Sequence, residues 1–245
     1  MTDTPITPRR YDGHLPLNET FGPVPQGEGP YLGRRCSFVR LGHCNLSCPG
    51  CDTARTWDRA RFDLDAENPL TPVEDILGAV ARYGTVLTVI SGGEPLMWQK
   101  TLAFDALLRG LGRLGVIHVE TNGTIAPGEA TAAAVAHFTV SPKIGPLASP
   151  RDPAKRRIRP KVLAEFVHLA AAGRACFKLV CATAEDVDAV AEFARDHYLH
   201  PQTVWVMPYG ESPGEVAARQ PVVTQAAMRH GFNATTRLHL IADMR

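Results

Sequence analysis

Short apolar runs and helix-like segments alternate along most of this chain, and that alternation restricts the fold more than any other feature. "CSFVRLG" (36–42) is a β-like run, followed later by the helical "TPVEDILGAVARYG" (71–84) and the strand-like "VLTVI" (86–90). The helical "TLAFDALLRGLGRLG" precedes "VIHVE" (116–120), and "GEATAAAVA" precedes "FTV" (138–140). The helical "PKVLAEFVHLAAAG" leads to the strand "CFKLV", and "AEDVDAVAEFARDHY" leads to "TVWVM" (203–207). "GEVAARQPVVTQAAMRHG" is read as a helix interrupted at Pro221, and "RLHLI" as a closing strand. Regular β-then-α order argues for a parallel sheet with crossover helices. Seven strand candidates in 245 residues suit an α/β fold of the incomplete (β/α) barrel kind rather than the full eight-fold one. Residues 1–17 read as a flexible lead-in, and 18–245 as one domain without a linker-like break. In the helix at 71–84, Thr71 is expected to cap, Pro72 to take the first position and Glu74 to complete a capping box.

Composition excludes several classes. A net charge of +1 gives no electrostatic reason to expect nucleic acid or an anionic membrane as partner. The chain has no apolar run of about 18 residues, which argues against a membrane span. The polar, proline-containing "MTDTPITPRRYDGHLP" does not read as a secretory signal, so a cytoplasmic location is expected. The basic run "RDPAKRRIRP" (151–160) is read as a solvated loop, and Cys176 and Cys181, bracketing "FKLV", as reduced core cysteines.

The polar and glycine-rich segments have a common placement. "GHCNLSCPGCDT" follows the first strand, "SGGEP" (91–95) the second, "ETNGT" (120–124) ends the third, "SPK" (141–143) follows the fourth and "MPYG" (207–210) a late one. In parallel α/β folds ligands collect at the carboxyl ends of strands, so these segments should converge on one mouth. Cys44, Cys48 and Cys51 could fill three corners of a four-iron cluster and leave one iron open. The competing reading is a zinc knuckle with Cys36 or His43 as fourth ligand, part of a zinc-stabilised binding module. It lacks a second C-x2-C or H-x3-H pair.

C-x3-C-x2-C after a first strand, joined to GGEP after the second, resembles the radical S-adenosylmethionine (SAM) superfamily. "QGEGPYLGRRCSFVRLGHCNLSCPGCDT" (26–53), "SGGEPLMWQ", "ETNGT", "SPK" and "RLH", in that order, resemble the 7-carboxy-7-deazaguanine synthase family within it. Another small radical SAM enzyme, such as a glycyl-radical activase, would share the cysteines and GGEP but leave "QGEG" and Thr53 unexplained. The resemblance implies that Cys44, Cys48 and Cys51 bind a [4Fe-4S] cluster whose open iron takes SAM. Gly92, Gly93 and Glu94 then face the methionine amino group. Thr121 and Asn122 belong to the same pocket, and Ser141 and Lys143 contact SAM, Lys143 pairing with its carboxylate. Gln26, Gly27, Glu28, Arg40 and His239 are implied to meet the substrate, and Thr53 to contact Mg2+.

The implied reaction is radical-initiated contraction of 6-carboxy-5,6,7,8-tetrahydropterin to 7-carboxy-7-deazaguanine with loss of ammonia. Its reactive group is the 5′-deoxyadenosyl radical rather than a side chain. An external electron donor of flavodoxin or ferredoxin type and a homodimer are implied as well. Three positions depart from the family pattern. Gly50 stands where an aromatic residue usually precedes the third cysteine, leaving room beside the cluster where the SAM adenine packs. Tyr209 stands where an acidic residue is more usual, and no Trp follows His239.

Overall fold

The computed structural model describes residues 12–244. Its strands are β1 (His14–Pro25), β2 (Arg35–Leu41), β3 (Leu70–Pro72), β4 (Leu87–Gly92), β5 (Val116–Thr121), β6 (His137–Val140), β7 (Ala175–Cys181), β8 (Val204–Pro208) and β9 (Asn233–Ala234). Its helices are α1 (Leu64–Glu67), α2 (Val73–Tyr83), α3 (Leu102–Leu114), α4 (Glu129–Ala134), α5 (Ala154–Arg157), α6 (Pro160–Ala171), α7 (Ala184–Asp196), α8 (Pro213–Arg229) and α9 (Leu238–Ile241). All nine strands form one sheet, in the order β3-β1-β2-β4-β5-β6-β7-β8-β9. From β2 to β9 every pairing is parallel, while β1 runs antiparallel to both β2 and β3. This is the expected α/β architecture, a mostly parallel sheet left unclosed as an incomplete barrel.

Packing explains why the helices form where they do. Helix α3 buries Ala103, Phe104, Leu107, Leu108 and Leu111 on one stripe, and Thr101 caps it by accepting from the Phe104 N–H at 3.2 Å. Helix α7 opens with a capping box between Thr183 and Asp186. Phe104, Phe138, Phe166 and Phe177 anchor the core between the sheet and these helices. Cys176 and Cys181 are buried and reduced in it, as expected.

The structure corrects five local readings. Of the expected lead-in 1–17, residues 1–11 lie outside the described residues and 14–17 already belong to β1. Thr71 does not cap α2: it pairs with Leu15 in β3, and the helix begins at Val73 without a side-chain cap. Sheet pairing takes the residue that local signals assign to a cap. Helix α8 runs unbroken through Pro221, which lies on the solvent face where water can take the Ala217 carbonyl that loses its partner. "RLHLI" is not a strand; residues 238–241 form α9, and the last sheet position goes to the two-residue β9. The basic run holds α5, and its Asp152 is 2% exposed, so it is not a simple solvated loop.

Candidate active site

The segments after β2, β4, β5, β6 and β8 meet around a cavity of about 250 Å³ at the carboxyl end of the parallel strands. Gln26–Glu28, following the antiparallel β1, comes in from the other end of the sheet and lines the same space. Cys44, Cys48 and Cys51 all line it, as do Gly92, Gly93, Thr121, Asn122, Ser141, Lys143, Arg40, Thr53 and His239.

The cysteine loop and the glycine turn are locked together through backbone. The Gly93 N–H donates to the Leu41 carbonyl at 3.1 Å, and the Glu94 N–H to the His43 carbonyl at 2.9 Å. A Cβ on Gly93 would stand 1.9 Å from the His43 carbonyl oxygen, and one on Gly92 2.2 Å from that of Leu41. A side chain at Gly93 would push the cysteine loop away, and one at Gly92 would force β4 off the end of β2.

The Cys44 sulfur has two N–H donors beside it. The Leu46 N–H points at the Cys44 sulfur at 3.4 Å, with Asn122 Nδ2 3.9 Å away. Burial pushes the Cys44 and Cys48 thiols above the ordinary range, while the nearby Lys143 pulls Cys48 back down. Loading iron must therefore drive off protons from free, unbridged thiols. No three His, Cys, Asp or Glu side chains among the described residues are gathered around a place for one ion. A polynuclear cluster takes one thiolate per iron and does not need them so gathered. The thiols, the N–H donors aimed at sulfur and the Lys143 cation fit such a group.

Glu94 occupies a different place from the one implied. It is fully buried and stands behind the cavity wall. Its carboxylate accepts from the Asn122 N–H at 2.7 Å, the Leu96 N–H at 3.0 Å and the Thr121 hydroxyl at 2.9 Å. Burial outweighs these bonds and lifts the carboxyl to about 7. Glu94 joins the end of β4 to the end of β5, leaving backbone and Thr121 to face the cavity.

In the same cavity, Glu28 pairs with Lys178 of β7 and, at 3.1 Å, with Arg237. Burial alone would raise the Glu28 carboxyl, but the two cations hold it well below the ordinary carboxylate range. Arg237 also binds Asp52 of the cysteine loop at 2.8 Å, so the tail ties the Glu28 group to the cluster side. Gln26 donates to Glu120 at 3.2 Å. Arg40 is fixed by Glu19 at 2.9 Å and sends Nη1 to the Thr53 and Ser91 hydroxyls at 3.3 and 3.4 Å. Thr53 donates to Asp52 at 2.7 Å. Lys143 donates to Ser141 at 2.9 Å. A Cβ on Gly27 would lie 2.2 Å from His239 Nδ1, so the glycine is what lets that imidazole in.

Sequence reading missed Lys178, Arg237, Glu120 and Asp152. Lys178 carried a signal: a lysine inside the apolar run "CFKLV" implies an interior counter-charge. Asp152 holds the cysteine loop by accepting from the Ser47 N–H at 2.5 Å and hydroxyl at 2.8 Å. Arg157 of the same basic run donates to the carbonyl of Lys143.

An open (β/α) barrel with three cysteines after an early strand and a glycine turn locked against them defines a radical SAM-type iron–sulfur protein. Residues 26–124 match the family model described as a 4Fe-4S single cluster domain. The chain is 35% identical over 219 residues to 7-carboxy-7-deazaguanine synthase of Pyrobaculum aerophilum, covering 89% of this chain and 90% of that one. It is 34% identical over 238 residues to the enzyme of that name from Hyperthermus butylicus, covering 94% and 93%. The chain belongs to the 7-carboxy-7-deazaguanine synthase family. Its fold is similar to that of QueE from Escherichia coli, with a TM-score of 0.64 at 21% identity over 92% of this chain and 95% of that one. Family membership decides against the activase and the zinc-module readings. No helix among the described residues is long and apolar enough to cross a membrane.

Proposed function

We propose that this chain contracts the ring of 6-carboxy-5,6,7,8-tetrahydropterin to 7-carboxy-7-deazaguanine, releasing ammonia, on a route to 7-deazapurines such as queuosine. One juxtaposition carries the reading: the three cysteines and Gly92–Gly93 line a single cavity together with the Glu28–Lys178–Arg237 group. When bound through Cys44, Cys48 and Cys51, a [4Fe-4S] cluster with SAM supplies the one-electron chemistry that removes a hydrogen atom from carbon.

The chain's own residues bind and orient. Glu28, kept ionised by two cations, is an acceptor for the N–H groups of the amino-pyrimidinone edge. Arg40, held by Glu19, Thr53 and Ser91, offers its remaining guanidinium N–H groups to a substrate carboxylate beside Thr53. Thr53 and its neighbour Asp52 present hard oxygen to Mg2+, which commonly keeps few protein ligands. Lys143 and Ser141 suit the SAM carboxylate, with Thr121 and Asn122 alongside. Phe21 and Phe38, stacked with centroids 4.8 Å apart, make an apolar wall that keeps water from a reactive carbon. His239, brought in over Gly27, completes the substrate side.

A cytoplasmic homodimer that draws electrons from a flavodoxin- or ferredoxin-type donor accords with the family. Anaerobic turnover with reductant, SAM, Mg2+ and 6-carboxytetrahydropterin, read by mass spectrometry, tests the assignment. Formation of 7-carboxy-7-deazaguanine is expected. Cluster-replete protein that makes none would refute it.

A further inference from the structure

Two departures from the family pattern, Gly50 and Tyr209, turn out to be a single contact. Gly50 sits in the cysteine loop at φ +60°, in the left-handed region that glycine favours. A Cβ built on it would stand 2.2 Å from the Tyr209 hydroxyl, 3.0 Å from Cζ and 3.2 Å from Cε2. Any side chain at 50 is thus blocked twice, by its backbone angle and by the tyrosine ring. The space that an aromatic at 50 would enter already holds an aromatic, delivered from the carboxyl end of β8.

Tyr209 is held firmly there. Its N–H donates to the Cys181 carbonyl at 2.8 Å, continuing the pairing of β8 with β7. The Arg219 guanidinium lies 5.5 Å from the ring centroid and also donates to the Tyr209 carbonyl at 3.0 Å. The hydroxyl donates to Glu211 at 3.3 Å. The ring lines the cavity in company with Gly50, Cys51, Leu147 and Met207.

We infer that Tyr209 supplies the aromatic wall for the purine ring of SAM, taking over from the far side of the mouth the position that Gly50 leaves empty. The inference rests on the cofactor reading under Proposed function. Tyr209 is a positioning residue: its flat face fits a nucleobase, and stacking of a base on an aromatic ring survives loss of the hydroxyl but not of the ring.

The test uses the full chain, reconstituted anaerobically with iron and sulfide, as wild type, Tyr209→Phe and Tyr209→Leu. Equilibrium binding of SAM and of methionine, which lacks the purine, is measured beside iron content. Tyr209→Phe should bind SAM within about twofold of wild type. Tyr209→Leu should bind it about tenfold more weakly, the effect of losing one base–aromatic stack, with methionine binding and iron content unchanged. The assignment is overturned if Tyr209→Leu binds SAM like wild type, if methionine weakens equally, or if Tyr209→Leu loses iron, which would make Tyr209 a prop for the cysteine loop. Wild-type protein that takes up iron yet binds no SAM overturns the underlying reading as well, a result distinct from these.

Discussion

Asp152 lies far from the cysteines in the chain yet holds the middle of their loop, and replacing it should loosen that loop in a graded way. One carboxylate oxygen accepts both the Ser47 N–H, at 2.5 Å, and the Ser47 hydroxyl, at 2.8 Å; the other meets Arg156 at 3.4 Å. Hydrogen bonds to a charged acceptor contribute roughly 1.5–3 kcal/mol each, so Asp152→Ala should lower the free energy of opening the loop by roughly 3–6 kcal/mol. Asp152→Asn can place its one carbonyl oxygen where both Ser47 bonds are made, keeping neutral bonds of roughly 0.5–1.5 kcal/mol each, and so should cost only about 2–3 kcal/mol. The Arg156 partner is 40% exposed, and its loss adds less than about 1 kcal/mol. Amide hydrogen exchange of the reduced, cluster-free protein reads this directly at Ser47, where each 1.4 kcal/mol is about tenfold in rate. Exchange at Ser47 should accelerate by at least about 100-fold in Asp152→Ala and by clearly less in Asp152→Asn. Because Ser47 stands between Cys44 and Cys48, release of iron to a chelator should follow the same order. Unchanged exchange in Asp152→Ala, or Asp152→Asn matching Asp152→Ala, would refute the reasoning.

Three further outcomes are expected. Lys178→Met strips one of two counter-charges from the largely enclosed Glu28 and leaves only Arg237, so it should cost about 2–4 kcal/mol in urea unfolding, while the double change with Glu28→Gln recovers part of that loss. Gly27→Ala places a methyl 2.2 Å from His239 Nδ1, so kcat/KM should fall while iron content stays at the wild-type level. Burial, helped by His137 and Arg34, holds His118 at about 4 instead of its ordinary 6.5. The unfolded chain therefore takes up that proton first as the pH drops. Stability from keeping His118 neutral is complete above about pH 6.5 and is lost progressively as the pH falls towards 4. His118→Leu should flatten the acid limb of a stability-against-pH curve over that window.

The chemistry-bearing loop was legible because its meaning is carried by short covalent spacing. Cys44, Cys48 and Cys51 with Gly92–Gly93 lie at strand ends that alternation alone locates, and the structure brings them to one cavity. Glu94 was legible as a residue but not as an orientation, since its neighbours Thr121 and Asn122 arrive through β4–β5 pairing. Local signals failed where sheet partners outbid them. Thr71 looks like a cap but pairs with Leu15, and the alternating "RLHLI" looks like a strand but turns into α9 so that buried Arg237 can meet Glu28 and Asp52.

By itself, then, the order of strands and helices with cysteines and glycines between them determined a parallel α/β sheet with a thiol-bearing mouth. That much needs only periodicity and nearest-neighbour stereochemistry. The tertiary structure alone decided that Lys178 and Arg237 neutralise Glu28, that Asp152 anchors Ser47, and that Tyr209 fills the space above Gly50. Each of these joins residues from distant parts of the chain, and buried charges and close contacts are satisfied by whatever the folded sheet brings near them, which no local pattern records.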